Sequence, residues 1–575
     1  MIKLFKFLRP FRWSIVVILV LVFAQTIAQL YLPNLMASIV DTGIARGDTG
    51  YIIRTGGWML VVAAGSIAAA VLAGLFSSRV SMGFGRDLRR AVFTHVQDFS
   101  LRELDHIGTP SLITRTTNDV TQVQMVTMFI LQVLAGAPLT AIGGVVMALS
   151  QDRKLTWVLV VVIPILATVI TLVATRAVPL FRAMQAKIDR INLVMREGLT
   201  GIRVIRAFDR VDNERSRFES ANSDLTGTAI RVNKLMAVMM PTMMLIMNLT
   251  SVSIIWFGAL RIDAGEMQVG NLMAFIQYAT QILFSVLMLS MLLVMLPRAA
   301  ASGQRINQVL EVVPQIADPE APQTGDGRRG HLEFRDVVFR YPGAEQPVLS
   351  NLSFTAKPGE VTAILGGTGS GKSTLVNLVP RFYDIESGTI LIDGADIRTL
   401  RQEDLRSRIG CVPQRASLFT GTIADNIRFG KEDATDAEVA HAAEVAQAKE
   451  FILAMEDGYE SVVSQGGTNL SGGQKQRLAI ARAIVRKPEI YLFDDTFSAL
   501  DFRTEARLRA ELTGETADST VLIVAQRVTS VMDADRIIVL DEGRAAGIGT
   551  HRELMNDCSV YREIVASQLS EEEQA

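Results

Sequence analysis

The residues with the clearest chemical potential form a glycine-rich run that ends in a lysine and two hydroxyl residues. It comprises Gly366, Gly367, Thr368, Gly369, Ser370, Gly371, Lys372, Ser373 and Thr374. The run matches the pattern G-x-x-x-x-G-K-[ST] and directly follows the apolar stretch Val361–Leu365, a predicted strand. Its backbone N–H groups, with the N-terminus of the helix expected next, favour phosphate. We expect Lys372 to reach the β- and γ-phosphates of ATP and Ser373 to ligate Mg²⁺.

Two further segments fit a nucleotide site. The first is Ile490–Asp494, a predicted buried strand that ends in a carboxylate able to organise Mg²⁺. The second is the run Leu470-Ser471-Gly472-Gly473-Gln474, which lies between the phosphate loop and that strand. LSGGQ in the same domain as a phosphate loop is a highly specific combination. On these motifs the sequence closely resembles the ABC transporter family, and specifically the exporters whose membrane and nucleotide-binding domains share one chain.

The resemblance implies roles for several residues. Tyr341 stands where the family stacks an aromatic ring on adenine. Gln414, in Val412-Pro413-Gln414, matches the residue that contacts Mg²⁺ and the attacking water. Asp501 ends Ser498-Ala499-Leu500-Asp501, which matches the D-loop. In the family each nucleotide lies between the phosphate loop of one subunit and the LSGGQ of another. The resemblance therefore implies a dimer in which this LSGGQ (Ser471, Gly472, Gly473, Gln474) serves the partner's nucleotide.

Two positions depart from the pattern of the hydrolysing exporters. After the Mg²⁺-organising aspartate they carry Glu, whereas this chain has Asp495, one methylene shorter. At the switch after the last core strand they carry His, whereas this chain has Gln526, which cannot titrate. The two changes in one site predict a site that binds ATP but hydrolyses it poorly. With an intact LSGGQ, they predict a heterodimer whose partner supplies the Glu and the His.

The elements that position these residues divide the chain into a membrane part and a nucleotide-binding part. The apolar share is 49% and the charged share 20%, and the apolar surplus lies in the first 300 residues. Six segments are apolar over the length that crosses a bilayer. They are about 14–36, 56–78, 126–149, 155–175, 235–258 and 269–296. The long charged connections between them show helical periodicity, which predicts helices projecting beyond the bilayer.

The predicted fold class is a six-helix all-α membrane domain of the ABC exporter type followed by an α/β P-loop NTPase domain. From His331 onward, short β-branched strands alternate with amphipathic helices, a pattern typical of a mostly parallel sheet. We place the membrane domain at 1–302, a linker at 303–330, the nucleotide-binding domain at 331–569 and a tail at 570–575. Six crossings leave both termini on one side, which must be the cytoplasm because the second domain needs ATP.

Composition narrows the partners and the cargo. A net charge of −2 argues against nucleic acid, and Cys411 and Cys558 have no metal or disulfide spacing. The six segments contain no Lys, Arg, Asp or Glu, and methionines crowd the fifth and sixth. A small amphiphilic or drug-like compound, or a lipid, is therefore the expected cargo. The expected location is the inner membrane of a bacterium, in contact with the lipid bilayer.

Two other functions remain open at this level. Importers exist on the same fold, and the motifs do not reveal direction, although such importers often carry an additional domain that is absent here. A regulatory subunit or ATP-gated channel is the second alternative, because some relatives with one inactive site act in this way. Those relatives usually contain long regulatory inserts, and the linker at 303–330 is short.

Overall fold

The chain folds into two compact units. The computed structural model describes residues 2–323 and 329–568, so the predicted tail at 570–575 lies outside the described residues. The first unit contains the residues up to Gln97 together with Pro110–Val312, and the second contains Asp98–Thr109 together with the chain from Val313 onward. A twelve-residue segment that the sequence places within the membrane domain, Asp98–Thr109, therefore packs with the nucleotide-binding domain.

Long helices make up the first unit. They follow a short N-terminal 3-10 helix, Ile2–Phe11. In chain order the helices are α1 (Arg12–Ser38), α2 (Thr49–Gln97), α3 (Leu101–Ile107, which belongs to the second unit), α4 (Thr109–Gln151), α5 (Thr156–Thr200), α6 (Ile202–Ala207), α7 (Val211–Asp263) and α8 (Val269–Leu310). Within residues 2–323 and 329–568, six helical spans are long and apolar enough to cross a membrane, which agrees with the predicted fold class.

Several helices are much longer than a bilayer crossing. Helix α7 has 53 residues, and at 1.5 Å per residue it is roughly 80 Å long, against a hydrocarbon core of about 30 Å. Helix α2 has 49 residues. Helix α8 continues to Leu310, so residues 303–310, which the sequence assigns to the linker, are helical. The boundary between the two units falls after Val312.

Small side chains let the membrane helices approach one another closely. A Cβ atom added at Gly144 of α4 would lie 2.7 Å from Cγ1 of Ile282 on α8. Tyr278 of α8 is fully buried, and its hydroxyl donates to the carbonyl oxygen of Leu30 on α1, at 2.9 Å. In hydrocarbon, association depends on such close packing and on satisfied polar groups, since lipid is as apolar as the helices.

The nucleotide-binding domain is an α/β structure with two main sheets. Its strands are β1 (Leu332–Phe339), β2 (Leu349–Ala356), β3 (Val361–Gly366), β4 (Ser387–Ile392), β5 (Ala395–Asp396), β6 (Ile409–Val412), β7 (Gly421–Thr422), β8 (Val462–Val463), β9 (Ile490–Asp494), β10 (Thr520–Val524), β11 (Arg536–Asp541) and β12 (Arg544–Gly549). Its helices are α9 (Lys372–Leu378), α10 (Gln402–Ser407), α11 (Ile423–Arg428), α12 (Asp436–Val445), α13 (Lys449–Leu453), α14 (Gly472–Arg486), α15 (Phe502–Glu515), α16 (His551–Asp557) and α17 (Ser559–Gln568).

The larger sheet brings the chemically important segments to one edge. Its strand order is β12-β11-β3-β10-β9-β6, and β10 pairs in parallel with both β3 and β9. Val524 pairs with Ile364 on one side and with Asp494 on the other. The strands β3, β9 and β10 are mostly apolar because both faces of a parallel sheet are covered. The carboxyl ends of β3, β9 and β10, where the phosphate loop, Asp494 and Gln526 lie, are therefore neighbours.

Candidate nucleotide-binding site

The phosphate loop connects β3 to α9 in a conformation that only glycine permits at its ends. Gly371 has a φ of +100°, and a Cβ atom there would lie 2.8 Å from Cδ2 of Leu349. At Gly366 an added Cβ would stand 2.3 Å from the carbonyl oxygen of Leu540. The hydroxyl of Ser370 is buried and has no hydrogen-bond partner among the described residues. An unsatisfied buried donor in this loop fits a phosphate oxygen, since buried polar groups are nearly always paired.

Lys372 lies inside the loop at the start of α9. Its ammonium group donates to the carbonyl oxygens of Gly366 and Gly367, at 2.7 Å in both cases. Burial lowers the pKa of Lys372, while the nearby carboxylates of Asp495 and Asp494 act in the opposite direction. The ammonium group is therefore held where negative charge is favourable, as a residue that contacts the terminal phosphates requires.

Hard oxygen donors for Mg²⁺ lie beside the loop. The hydroxyl of Ser373 donates to Oδ1 of Asp494 at 3.0 Å. Burial raises the pKa of Asp494, and the hydrogen bond from Ser373 partly offsets this. No group of three or more His, Cys, Asp and Glu side chains gathers as a metal site in the described part of the chain. The donor set suits Mg²⁺, which takes one or two protein ligands and completes its shell with phosphate and water.

Asp495 and Gln526, the two residues that depart from the family pattern, contact each other. It is buried, and its backbone is left-handed, with φ 47° and ψ 32°. One carboxylate oxygen, Oδ2, accepts from Nε2 of Gln414 at 3.0 Å and from Nε2 of Gln526 at 2.8 Å. The sequence predicts all three residues at the site. The sequence does not indicate that the amides of Gln414 and Gln526 converge on one oxygen, because this convergence depends on the pairing of strands that are far apart in the chain.

The expected adenine platform is built from aromatic rings. The hydroxyl of Tyr341 shares a hydrogen bond with Oγ1 of Thr374, at 3.1 Å. The Tyr341 ring packs edge-on against Phe339 and Tyr383, with centroids 4.9 and 5.3 Å apart. Tyr383 in turn donates to a carboxylate oxygen of Asp105 in α3, at 2.8 Å. Sequence reasoning missed Tyr383 and Asp105, and no motif marks either residue.

The LSGGQ segment is a preformed helix N-terminus. Oγ of Ser471 accepts from the backbone N–H of Gln474 at 3.3 Å, and Oε1 of Gln474 accepts from the N–H of Ser471 at 2.8 Å. This reciprocal capping box fixes the first turn of α14. A Cβ atom at Gly472 would meet nothing within 4 Å, whereas one at Gly473 would lie 3.2 Å from the carbonyl oxygen of Ala499. Gly472 therefore offers its open side to an external group.

The predicted site residues lie in two separate sets. One set surrounds the phosphate loop and contains Lys372, Ser373, Asp494, Asp495, Gln414 and Gln526, with Tyr341 on Thr374. The other set is LSGGQ and Asp501, and no hydrogen bond in the described part of the chain joins it to the phosphate loop. Asp501 instead caps α15, where the N–H of Thr504 donates to its carboxylate at 3.0 Å and lowers the pKa of Asp501.

These features define an ATP-binding domain joined to six membrane-crossing helices, and comparison with known proteins identifies the family. Residues 15–286 match the ABC transporter transmembrane region, and residues 349–498 match the ABC transporter domain. An uncharacterized ABC transporter ATP-binding protein of Mycobacterium tuberculosis is 46% identical over 98% of this chain and 97% of its own length. An ATP-dependent lipid A-core flippase of Aromatoleum aromaticum is 33% identical over 89% of this chain and 85% of its own. A bacterial Atm1-family ABC exporter, solved with ATP bound, superposes with a TM-score of 0.81 at 28% identity, covering 97% of this chain and 99% of that one.

The chain belongs to the ABC transporter family. It is an exporter-type half-transporter, with an N-terminal membrane domain fused to an ATP-hydrolysing nucleotide-binding domain on the cytoplasmic side of the membrane. The predicted family, fold class and enzymatic class are thereby confirmed. A half-transporter with one nucleotide-binding domain works as a dimer.

Proposed function

We propose that this chain is one subunit of a heterodimeric exporter, in which its own ATP site binds nucleotide and hydrolyses it slowly. Its LSGGQ segment completes the catalytic site that belongs to the partner. In this proposal Lys372 and the phosphate loop hold ATP, while Ser373, Gln414 and Asp494 hold Mg²⁺. Mg²⁺ would supply neutralisation of the phosphate charge.

The observation that carries the proposal is the environment of Asp495. A carboxylate that polarises the attacking water needs a free lone pair aimed at that water. Oδ2 of Asp495 already accepts two amide hydrogen bonds, from Gln414 and Gln526, so only Oδ1 is left to polarise a water. The side chain is also one methylene shorter than Glu, so it reaches less far. Gln526 can donate a hydrogen bond but cannot take up or release a proton.

The LSGGQ segment supports the second half of the proposal. Its capping box is complete without any contribution from the phosphate loop of the same chain. The open side of Gly472 suits the close approach of a phosphate from another subunit, at a helix N-terminus whose N–H groups favour anions. A chain with a weakened site of its own and an intact LSGGQ is useful only if a partner contributes the hydrolysing residues.

For the cargo, the proposal is an amphiphilic or drug-like compound or a lipid. The predicted membrane-crossing segments contain no charged side chain. The methionines of α7 differ in exposure: Met243 is buried against Leu166 and Leu283, whereas Met240 and Met244 are exposed. Exposed thioethers adapt to many apolar shapes. The lipid A-core flippase activity named for one relative points in the same direction.

The test is to purify the chain alone and together with a candidate partner half-transporter that carries the Glu and the His, and to measure ATP hydrolysis in lipid. We expect the chain alone to bind ATP but to turn it over about 10²–10⁴ times more slowly than the pair. Candidate amphiphiles should stimulate only the pair. Fast turnover by a pure homodimer would refute the heterodimer proposal. Lys372→Ala in the pair should abolish binding at this site and leave part of the ATPase.

A further inference from the structure

The N-terminal helix, Ile2–Phe11, is anchored to the membrane unit by one apolar face. Leu4 is fully buried, and Leu8 and Phe11 pack against the cluster formed by α1, α2 and α4. The Phe11 ring lies on the backbone of α2, because a Cβ atom at Gly83 would stand 2.6 Å from its Cζ atom. The helix is therefore a fixed part of the unit.

The opposite side of this segment carries positive charge that is mostly left unneutralised by the residues the structure describes. Lys3 pairs with Glu311 at 2.6 Å. Lys6, Arg9 and Arg12 are exposed, and none of them forms an ion pair with any of the described residues. The first forty residues contain no Asp or Glu. Three cations on about two turns of chain thus lack a counter-charge.

Exposed aromatic rings lie among these cations. Phe5 is 38% exposed and Trp13 is 70% exposed. The ammonium of Lys6 lies 5.3 Å from the ring centroid of Phe7, and the guanidinium of Arg12 lies 5.7 Å from that of Trp13. Aromatic residues that present an apolar body beside a charged group are typical of the boundary between lipid tails and headgroups.

The side of the membrane also follows from the structure. Glu311, the partner of Lys3, immediately follows α8, at the end that leads into the cytoplasmic nucleotide-binding domain. The N-terminal helix is therefore at the cytoplasmic surface, where the leaflet is rich in anionic lipid. We propose that Lys6, Arg9 and Arg12, with the rings of Phe5 and Trp13, form a binding site for anionic phospholipid headgroups of the cytoplasmic leaflet. This site is independent of the ATP site and of the proposed heterodimer.

Trp13 provides a local reporter for the test. The chain contains four tryptophans, and Trp13 is retained alone by changing Trp58, Trp157 and Trp256 to Phe. Any tryptophan of a partner subunit is also changed to Phe. The full-length protein, in the assembly in which it is purified, is then placed in bilayers of phosphatidylcholine and phosphatidylglycerol. One of the two lipids is brominated in each series. Quenching of Trp13 by each brominated lipid gives the relative association constant of the anionic lipid at this site.

A second reporter, Trp256 alone, serves as the matched control. Trp256 is 67% exposed, so lipid reaches it as readily as it reaches Trp13. The nearby cation Arg261 is neutralised, since it pairs with Asp152 and Glu266 at 2.7 Å each. Only the Trp13 reporter should show a preference, because only there are the cations free.

We expect phosphatidylglycerol to be favoured at Trp13 by roughly fivefold or more, the effect of even one basic residue near an anionic surface. The variant Lys6→Gln/Arg9→Gln/Arg12→Gln should bring the ratio close to one. Raised ionic strength should lower it in the unaltered protein, since screening weakens exposed charges. The salt series needs no charge substitution, so it decides the question even if the triple variant does not assemble. A ratio near one at Trp13, or one that the triple variant leaves unchanged, overturns the proposal.

Discussion

Gly472→Asp should nearly abolish the ATPase of the assembled exporter while leaving the fold of this chain intact. Gly472 is the first residue of α14, and a Cβ atom there meets nothing within 4 Å. A carboxylate in the first turn of a helix is favourable by about 0.3–1 kcal/mol, because it complements the helix dipole. The substitution therefore costs this chain no stability, and any loss of activity must arise from what Gly472 faces in the dimer.

The size of the effect follows from electrostatics. If LSGGQ faces the partner's nucleotide, the new carboxylate would lie about 4 Å from a phosphate oxygen. At an effective dielectric constant of 20, repulsion between two unit charges at that distance is about 4 kcal/mol. Since each 1.36 kcal/mol corresponds to a factor of ten, the closed dimer and its turnover should fall by about 10³-fold.

The assay is steady-state phosphate release by the reconstituted pair, with ATP binding and assembly measured in parallel. Gly514→Asp is a stringent control, since it makes the same exchange at an exposed helical glycine with no atom near its Cβ. It lies in the last turn of α15, where the helix dipole disfavours a carboxylate, and it should still keep full activity. Asp495→Ala should reduce activity much less than Gly472→Asp, because it alters only this chain's own site. If the two are equally harmful in assembled, ATP-binding protein, this chain's own site is catalytic and the heterodimer argument is refuted.

Three further predictions test separate features. The double change Asp495→Glu/Gln526→His should raise the ATPase of the chain alone at least about tenfold, as restored general-base chemistry requires, and no increase in phosphate release would contradict the slow-site interpretation. Tyr383→Phe removes the hydroxyl that donates to the carboxylate of Asp105 on α3, so amide hydrogen exchange of residues 98–109 should become roughly fivefold faster. Unchanged exchange would show that this hydrogen bond does not hold the segment. Arg305→Gln should destabilise the membrane unit by about 2 kcal/mol, because it removes the ion-pair partner of the buried Asp119. Adding Asp119→Asn should restore part of the lost melting temperature, because it removes the uncompensated charge. A further decrease in melting temperature would contradict this explanation.

Much of the nucleotide site can be predicted from the sequence because its parts are local. The phosphate loop needs glycines at fixed spacing after a strand, and that strand's neighbours are recognisable as continuous apolar runs. The six crossings are equally local, since each is one uninterrupted apolar segment of bilayer length. Prediction fails where the outcome depends on residues far apart in the chain. The convergence of Gln414 and Gln526 on Asp495 requires the register of β6, β9 and β10.

The assignment of Asp98–Thr109 to the second unit shows the same limit. Its helix, α3, is short and lies between two long helices, so composition places it with the membrane domain. Its attachment depends on side-chain contacts with partners more than 200 positions away. Tyr383 donates to Asp105, and the carboxylate of Glu103 accepts from the backbone N–H of Gln315, at 3.4 Å. Neither contact leaves a pattern along the chain, because the partners are ordinary polar residues at unremarkable spacing.

The residues of this chain's own ATP site and those of its LSGGQ segment can be substituted independently, because different contacts position the two sets. Asp495 and Gln526 are positioned by the parallel sheet and by each other, so a substitution in that pair alters the chain's own site. Ser471 and Gln474 are fixed by their own capping box at the start of α14. A substitution that slows hydrolysis at the first site would therefore leave the geometry of the second unaffected. In a dimer of unlike subunits, such a chain can lose its own catalysis and still position the γ-phosphate that its partner hydrolyses.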